Sequence, residues 1–599
     1  MKNVLKIWKL LTASERKKAL IVGLLVLLAA VADAVGIASV IPFLTVLGDP
    51  SMIEENEVLK KAYTFLNFKN SQDFIFALGW LTLFLIVISS SLQALSQYTA
   101  VRFSEMRRVS ISQRLMKSYL AQPYNYFLVH NSGDLANNLL SAVDTAISRC
   151  LMPTVLIFSY GTHAFAIILL VLYVETVVGI ATIILLSGSF SVIYLCLKKH
   201  FTTMGRLRLE ANQQRFRVTN EVLGGIKEVK LHNLEKGFLD YFKSKTYDYS
   251  HYNSSNEIMS VLPRYGIQVL MYGGMMVLLM VLLTRHGNVE AILPTIGLLA
   301  FAGARLLPGF QNVYRSIAHL KFGLPTLEAI LRDLALEQPE NRNIKTDDPQ
   351  KENRIVPQKS ITLNHVSFAY PGTDKKAVAD LQINIPVYTK VGIIGESGAG
   401  KTTAVDLILA LYQPEKGALL VDDTVIDHDN RRAWQNTIGY VPQDIFLLDA
   451  TVRENIAFGV SKDNIDDERV VLAAKQAYLH DFITEQLPKG YDTFVGERGV
   501  RLSGGQRQRI GIARTLYRAP SVIVLDEATS AVDNLTEKKI VKSIEALGND
   551  RTVIMIAHRL NTVKNCDCIY MMENGKVIAS GTYDELATQN EKFRSMLGN

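Results

Sequence analysis

Six segments of this chain, at about 19–47, 73–98, 150–174, 177–197, 256–284 and 291–313, are apolar over close to, or beyond, the roughly 20 residues a helix needs to cross a bilayer. Hydrocarbon offers no partner to a backbone N–H or C=O, so such segments span as helices with their hydrogen bonds satisfied internally. All six lie within the first 313 residues of a 599-residue chain that is 48% hydrophobic and longer than one compact core. The expectation is a multi-pass membrane part followed by a soluble part. Basic residues crowd the first 18 positions (Lys2, Lys6, Lys9, Arg16, Lys17, Lys18) and the two long loops of about 50 residues (Arg102, Arg107, Arg108, Arg114; Lys198, Lys199, Arg206, Arg208). That distribution places both termini and the long loops in the cytoplasm. It also accounts for the net charge of +7 without a nucleic-acid partner. Cys150, Cys196, Cys566 and Cys568 have no framework spacing and read as reduced thiols.

The polar run "EQPENRNIKTDDPQKENR" marks the boundary between the halves. The expected division is a membrane domain over 1–336, a linker over 337–354 and a second domain over 355–599. In the second domain short β-like runs ("SITLNHVSFAY", "VGIIG", "VIVLDE", "TVIMIAH") alternate with helical patterns, which predicts an α/β fold with a largely parallel sheet. The fold class is therefore an all-α six-helix transmembrane domain followed by an α/β phosphate-loop domain. In the first outer loop, Leu59, Ala62, Tyr63 and Leu66 recur at helical spacing, either as an amphipathic helix on the outer membrane surface or as an ordinary loop helix.

Chemistry enters at Gly395-Glu-Ser397-Gly398-Ala399-Gly400-Lys401-Thr402-Thr403, after the apolar strand "KVGIIG" and at the start of a helix. This is the context in which a phosphate loop works: glycines turn backbone N–H groups toward phosphate at a helix N-terminus. Lys401 is placed for the β/γ-phosphates of ATP and Thr402 for Mg²⁺. A second element, "VIVLDE", ends a buried strand on Asp526 and Glu527. Asp526 suits Mg²⁺ and Glu527 suits a general base that polarises the attacking water.

Between them, Leu502-Ser503-Gly504-Gly505-Gln506 resembles the signature sequence of ATP-binding-cassette (ABC) proteins, and its neighbours fit that family in order. Tyr370 in "SFAYPG" resembles the aromatic that stacks on adenine, and Gln443 in "YVPQD" the glutamine that links nucleotide to membrane domain and joins the Mg²⁺ site. "VGERG" at 495–499 resembles a segment that precedes the signature in exporters, "SAVD" at 530–533 the loop crossing to the partner, and His558 in "IAHRL" the switch histidine on the γ-phosphate. The resemblance implies that Ser503 and Gly505 of one subunit, with Gly504 and Gln506 around them, complete the phosphate loop of the other. It implies catalytic roles for Lys401, Gln443, Glu527 and His558. With this set intact in one chain, the expected partner is a second copy, a homodimer. The six spans resemble the exporter membrane domain, which implies that the long basic loops carry coupling segments, one of them around 206–218.

Charged residues inside a span are functional hypotheses by default. Asp33 lies in the first span, Arg264 near the start of the fifth and Arg305 in the sixth. Counting about 1.5 Å per residue from the outer ends puts Arg305 about 20 Å deep and Arg264 about 30 Å deep, both in the cytoplasmic half. Snorkelling explains Arg264 as well as substrate does, and a structural pair with Asp33 would explain Arg305. Alternatively, both guanidiniums hold an anionic head group. "VADAVGIASVIPFLT", "VLPRYGIQ" and "ARLLPGFQNVYRSI" resemble segments of the bacterial flippases for lipid-linked oligosaccharides. The chain departs from them at Gln268, where that family has a glutamate.

The resemblance thus implies ATP-driven flipping of a polyprenyl-pyrophosphate oligosaccharide, an anionic lipid-linked substrate, across the bacterial inner membrane. A lipid or multidrug exporter of the same architecture and an ATP-gated channel are the alternatives. A soluble cassette ATPase is excluded by the spans.

Overall fold

The structure is a computed structural model that describes residues 2–174, 176–286, 289–336, 354–496, 499–527, 550–557 and 559–597. The chain divides into two compact units, Met1–Gln122 with His130–Arg342, and Pro123–Val129 with Asn343–Asn599.

The first unit is helical. An amphipathic helix α1 (Lys2–Leu10) leads into α2 (Ala13–Ala38) and α3 (Val40–Gly48). Thr12 caps α2 through the Glu15 backbone N–H, and the Glu15 carboxylate reaches back to the Thr12 N–H. That buried carboxylate also pairs with Arg107 at 2.7 Å, so the cap and the ion pair satisfy one another's charge. Helix α4 (Glu57–Phe65) precedes α5 (Ser71–Leu120). Leu59 is buried with Val46, Ile53 and Phe74, and Ala62 and Tyr63 pack on the same cluster. Leu66 is exposed, as are Val58 and Phe65, so only part of the apolar surface of this helix is covered within the unit.

Helix α6 (Tyr124–Val129) belongs to the second unit. Helix α7 (Ser132–Val174) contains two π-helical turns, Asn138–Ala142 and Ile147–Leu151. Next come α8 (Thr176–Gly224), α9 (Glu235–Val261), α10 (Pro263–His286) and α11 (Val289–Leu334). Among the described residues Ala13–Gly48, Ser71–Leu120 and Ser132–Val174 are long and apolar enough to cross a membrane.

Two expectations change. The fifth span, 256–284, is two helices meeting at Leu262, because Pro263 has no N–H to continue the ladder and starts a new helix instead. The stretch 206–218 lies inside the C-terminal half of α8, and the chain turns only beyond Gly224, where Gly225 ends the long helix.

Helices α8 and α11 touch backbone to backbone. A Cβ on Gly205 would lie 2.0 Å from the Phe322 carbonyl oxygen, so only glycine permits the crossing.

The second unit carries two sheets. One is antiparallel with strand order β2-β1-β4-β5, from β1 (Ser360–Ala369), β2 (Lys376–Pro386), β4 (Lys416–Val421) and β5 (Thr424–Val425). The other runs β10-β9-β3-β8-β7-β6. Its strands are β3 (Lys390–Gly395), β6 (Ile438–Val441), β7 (Val522–Asp526), β8 (Thr552–Ile556), β9 (Cys568–Glu573) and β10 (Lys576–Gly581). All pairs in it are parallel except β10 with β9. Every residue of β7 and β8 is buried, as a parallel sheet covered on both faces requires. Helix α12 (Lys401–Ile408) follows β3, and α13 (Gly504–Tyr517) precedes β7. The Tyr124 ring of α6 packs on Tyr412 with centroids 5.7 Å apart.

Gly205→Ala should cost about 1–3 kcal/mol through overpacking. Gly237→Ala, where nothing lies within 4 Å, should be neutral or stabilising within a helix. Thermal unfolding of the two purified variants tests this, and equal transition temperatures would refute the close-crossing argument.

Candidate functional site

The parallel strands deliver their C-terminal ends to one edge of the sheet, where α/β proteins bind ligands. Strand β3 sits between β9 and β8, and the phosphate-loop segment leaves from its end. Gly395 (φ +152°), Gly398 (φ +82°) and Gly400 (φ +97°) take conformations that L side chains rarely adopt. At Gly395 there is also no room, since a Cβ would meet the Met572 carbonyl oxygen at 2.3 Å. The segment encloses a cavity of about 610 Å³ lined by Tyr370, Ala377, Ser397, Gly398, Ala399, Gly400, Lys401, Thr402, Thr403, Gln443 and Glu527.

The charged groups of this cavity are held by their neighbours. Lys401 is buried and donates from Nζ to the carbonyls of Gly395 (2.8 Å) and Glu396 (2.9 Å). Burial lowers its pKa, while Glu527 and Asp526 act in the opposite direction. Gln443 Nε2 donates to Glu527 Oε2 at 2.7 Å, joining the expected water-polarising carboxylate to the expected linker glutamine. Glu527 sits at φ +47°, a left-handed backbone that tips it away from the line of β7. Asp526 is buried at the end of β7 and accepts from the Tyr440 hydroxyl at 3.4 Å. Tyr370 shares a hydrogen bond of 2.9 Å with the Thr403 hydroxyl and packs edge-on against Phe368 and Tyr412. Thr402 is exposed beside them. These groups fit a nucleotide triphosphate: N–H groups turned inward, a cation satisfied only by carbonyls, and an aromatic ring at the rim.

Sequence reasoning missed Asp406, on α12 five residues after Lys401. Burial, with the Asp526 carboxylate adding to it, pushes its pKa up to about 6. The signal was one charge within the otherwise apolar "AVDLILALY". Tyr440 was missed too, since nothing in its local pattern points to Asp526.

The signature residues lie elsewhere. Ser503 caps α13: its Oγ accepts from the Gln506 backbone N–H, and Gln506 Oε1 accepts from the Ser503 N–H at 2.8 Å. Leu502 and Gly505 are buried, and Ser503 is exposed. None of Ser503, Gly504, Gly505 and Gln506 lines the phosphate-loop cavity. Within one chain the loop and the signature do not meet across it. His558, 530–533, residues 497 and 498 of the "VGERG" segment and 337–353 of the linker lie outside the described residues.

In the helical unit, Asp33 and Arg305 come together and Arg264 stands apart. Asp33 is 2% exposed, with Oδ1 3.8 Å from Arg305 Nε. Arg305 also donates from its guanidinium to Gln93 Oε1 at 2.8 Å, a partner the sequence did not suggest. Arg264 is exposed on the first turn of α10, with no hydrogen bond or ion pair among the described residues, and Gln268 is half-buried one turn on.

The ABC transporter family matches residues 378–530, and the ABC transporter transmembrane region matches residues 20–299. The "Heterocyst differentiation ATP-binding protein HepA" of Nostoc is 30% identical over 532 residues, 85% of this chain and 82% of that protein. An "ATP-dependent lipid A-core flippase" of Saccharophagus degradans is 29% identical over 524 residues, 86% of each chain. Among solved structures, a bacterial Atm1-family ABC exporter with ATP bound superposes with a TM-score of 0.79 at 23% identity, covering 97% of this chain and 98% of that one.

The Asp406 carboxyl holds its proton more tightly folded than unfolded, so stability is highest below its ordinary pKa of 3.8 and falls as pH rises to about 6. In nucleotide-free protein the transition temperature of the wild type should fall relative to Asp406→Asn between pH 4 and 6 and then run parallel. A difference independent of pH would contradict the assignment.

Proposed function

The chain belongs to the ABC transporter family, as an exporter half-transporter whose ATPase is coupled to transport, and from that premise we propose that its cargo is an anionic lipid-linked glycan, a polyprenyl-pyrophosphate oligosaccharide. The observation that carries this reading is the Asp33–Arg305–Gln93 cluster. Arg305 presents five N–H donors, of which, among the described residues, one is used by Gln93 and one faces Asp33. A guanidinium inside a membrane unit suits a phosphate bidentately. Arg264, exposed and unpaired among the described residues, supplies a second cation nearer the cytoplasmic end of its span. Support from relatives is coarser: one is named as a flippase of lipid A-core, itself a lipid substrate.

In the proposed cycle two copies form a homodimer in the inner membrane with cassettes and termini in the cytoplasm. Tyr370 holds the base of ATP, and the loop from Gly395 to Thr403 holds its phosphates. Ser503, Gly504, Gly505 and Gln506 close the site from the other copy. Signature residues absent from their own chain's phosphate cavity support this trans arrangement. Thr402, Gln443 and Asp526 would hold Mg²⁺, which when bound neutralises phosphate charge. Lys401 exchanges its carbonyl partners for phosphate oxygens. Glu527, oriented by Gln443, accepts the proton of the attacking water, and His558 contacts the γ-phosphate. Closure drives the spans outward, and hydrolysis resets them.

Glu527→Gln should reduce ATP turnover by about 10²-fold or more while ATP still binds; hydrolysis at the wild-type rate would remove the base assignment. In reconstituted vesicles, Arg305→Ala and Arg264→Ala should each slow flipping of a polyprenyl-pyrophosphate glycan at least about tenfold, the loss expected for one charged hydrogen-bonding partner. Unimpaired flipping by both would defeat the charge hypothesis. Stimulation of the ATPase by hydrophobic drugs in place of the glycan would favour the multidrug exporter.

A further inference from the structure

A second cavity, of about 490 Å³, lies in the helical unit between α7, α8 and α9, away from Asp33, Arg264 and Arg305. Its walls include Ser141, Thr145, Ser148, Arg208, Tyr249 and Asn253. The α7 wall contains the two π-helical turns: Ser141 belongs to the first and Ser148 to the second, with Thr145 between them. Each π turn inserts an extra residue into the helix and is more common at functional sites than elsewhere. Here the turns bring three hydroxyl-bearing side chains to one cavity.

Charge is the unusual feature. Arg208 is 9% exposed, and it donates to the Thr145 hydroxyl (3.0 Å) and the Tyr249 hydroxyl (3.2 Å). Its Nε is buried without an acceptor. Arg215 lies over the Tyr249 ring, 4.3 Å from its centroid, donates to Asn212 Oδ1, and also buries its Nε without an acceptor. Neither guanidinium has a carboxylate within ion-pair distance among the described residues. The acid and the other arginine lining the cavity are already engaged: Asp144 with Arg108 at 2.7 Å, and Arg149 with Glu257 at 2.6 Å. Burial raises the Tyr249 phenol, but the charge and hydrogen bond of Arg208, the hydrogen bond of Asn253 and the charge of Arg215 together hold the hydroxyl below its usual pKa.

A buried guanidinium without a counter-charge, beside a second that is half-buried, is costly, and their two buried Nε–H groups without acceptors add to the cost. A structural role would be served by hydroxyls and amides alone. The arrangement is relieved by an external group with several oxygen acceptors and two negative charges. We propose that this cavity is a binding site for a phosphate-bearing ligand, held by Arg208, the Ser148 and Thr145 hydroxyls and Asn253, with Arg215 supplying charge from behind Tyr249. The chemistry is the same whether the phosphate belongs to a lipid head group or to a soluble cytoplasmic molecule. It stands independently of the cargo assigned to the Arg305 cluster.

The test uses the full-length protein in nanodiscs of zwitterionic lipid, with saturating ADP blocking the phosphate loops, and radiolabelled pyrophosphate as probe. Wild type should bind about one ADP-insensitive equivalent per chain. Arg208→Gln should weaken that binding about tenfold or more, and Arg208→Lys should fall between, because it keeps the charge and loses the fork. Ser148→Asp removes no buried group, since Ser148 is exposed, and places a carboxylate at the mouth, so it should abolish binding in a folded protein. Displacement by dihexanoyl phosphatidic acid would support the site and assign it to a lipid head group; displacement by glucose 1-phosphate alone would support it and assign it to a soluble ligand. Absence of ADP-insensitive binding in the wild type, or unchanged affinity in Ser148→Asp, overturns the proposal.

Discussion

Every backbone amide that enters hydrocarbon must find its partner within the same helix, and the first unit follows from that constraint. Once nucleated, such helices do not stop at the bilayer surface. Helix α5 runs for 50 residues, about 75 Å, against a hydrocarbon core of about 30 Å. Its first half is apolar, and its second half is basic, with Arg107 held against the buried Glu15 carboxylate and Arg108 paired with Asp144. Among the described residues the ladder is interrupted at Ser39 between α2 and α3, at Pro263 between α9 and α10, and at the π turns of α7. The last two lie beside charged groups, Arg264 in one case and the Arg208 cavity in the other.

A different constraint governs the second unit. The phosphate loop works only if its backbone can press against the strand beside it, and Gly395 and Gly400 exist for that approach. Lys401, buried against the loop's own carbonyls, has its charge directed at the cavity without a carboxylate salt bridge. Burial raises Asp406, the Asp526 carboxylate adds to it, and Asp526 and Glu527 favour the charged form of Lys401. One network therefore ties together strand order, loop conformation and the proposed chemistry.

Incompleteness is also informative. A chain that caps its own signature helix with Ser503 and Gln506, and keeps those residues out of its own phosphate cavity, has both halves of a nucleotide site and no whole one. A half-transporter implies a dimer for this reason, and the proposal that the partner is a second copy adds only that both halves are intact in this sequence.

Most of the architecture was legible in the residues themselves. Apolar length, the order of the cassette motifs and the alternation of short strands with helices identified a membrane domain followed by an α/β ATPase, because each reflects a local rule of backbone hydrogen bonding or phosphate geometry. What periodicity could not supply was contact between distant positions. The Arg305 partners Asp33 and Gln93 come from 272 and 212 residues away, the inward turn of Leu59 depends on Val46 and Phe74, and the carboxylate that adds to the burial-driven shift of Asp406 is Asp526, 120 positions on. Sequence determined which segments must be helices and which loop can hold phosphate. Tertiary structure alone decided which buried charges face each other, because the energy of a charge in a low dielectric depends on distances that the linear order does not contain.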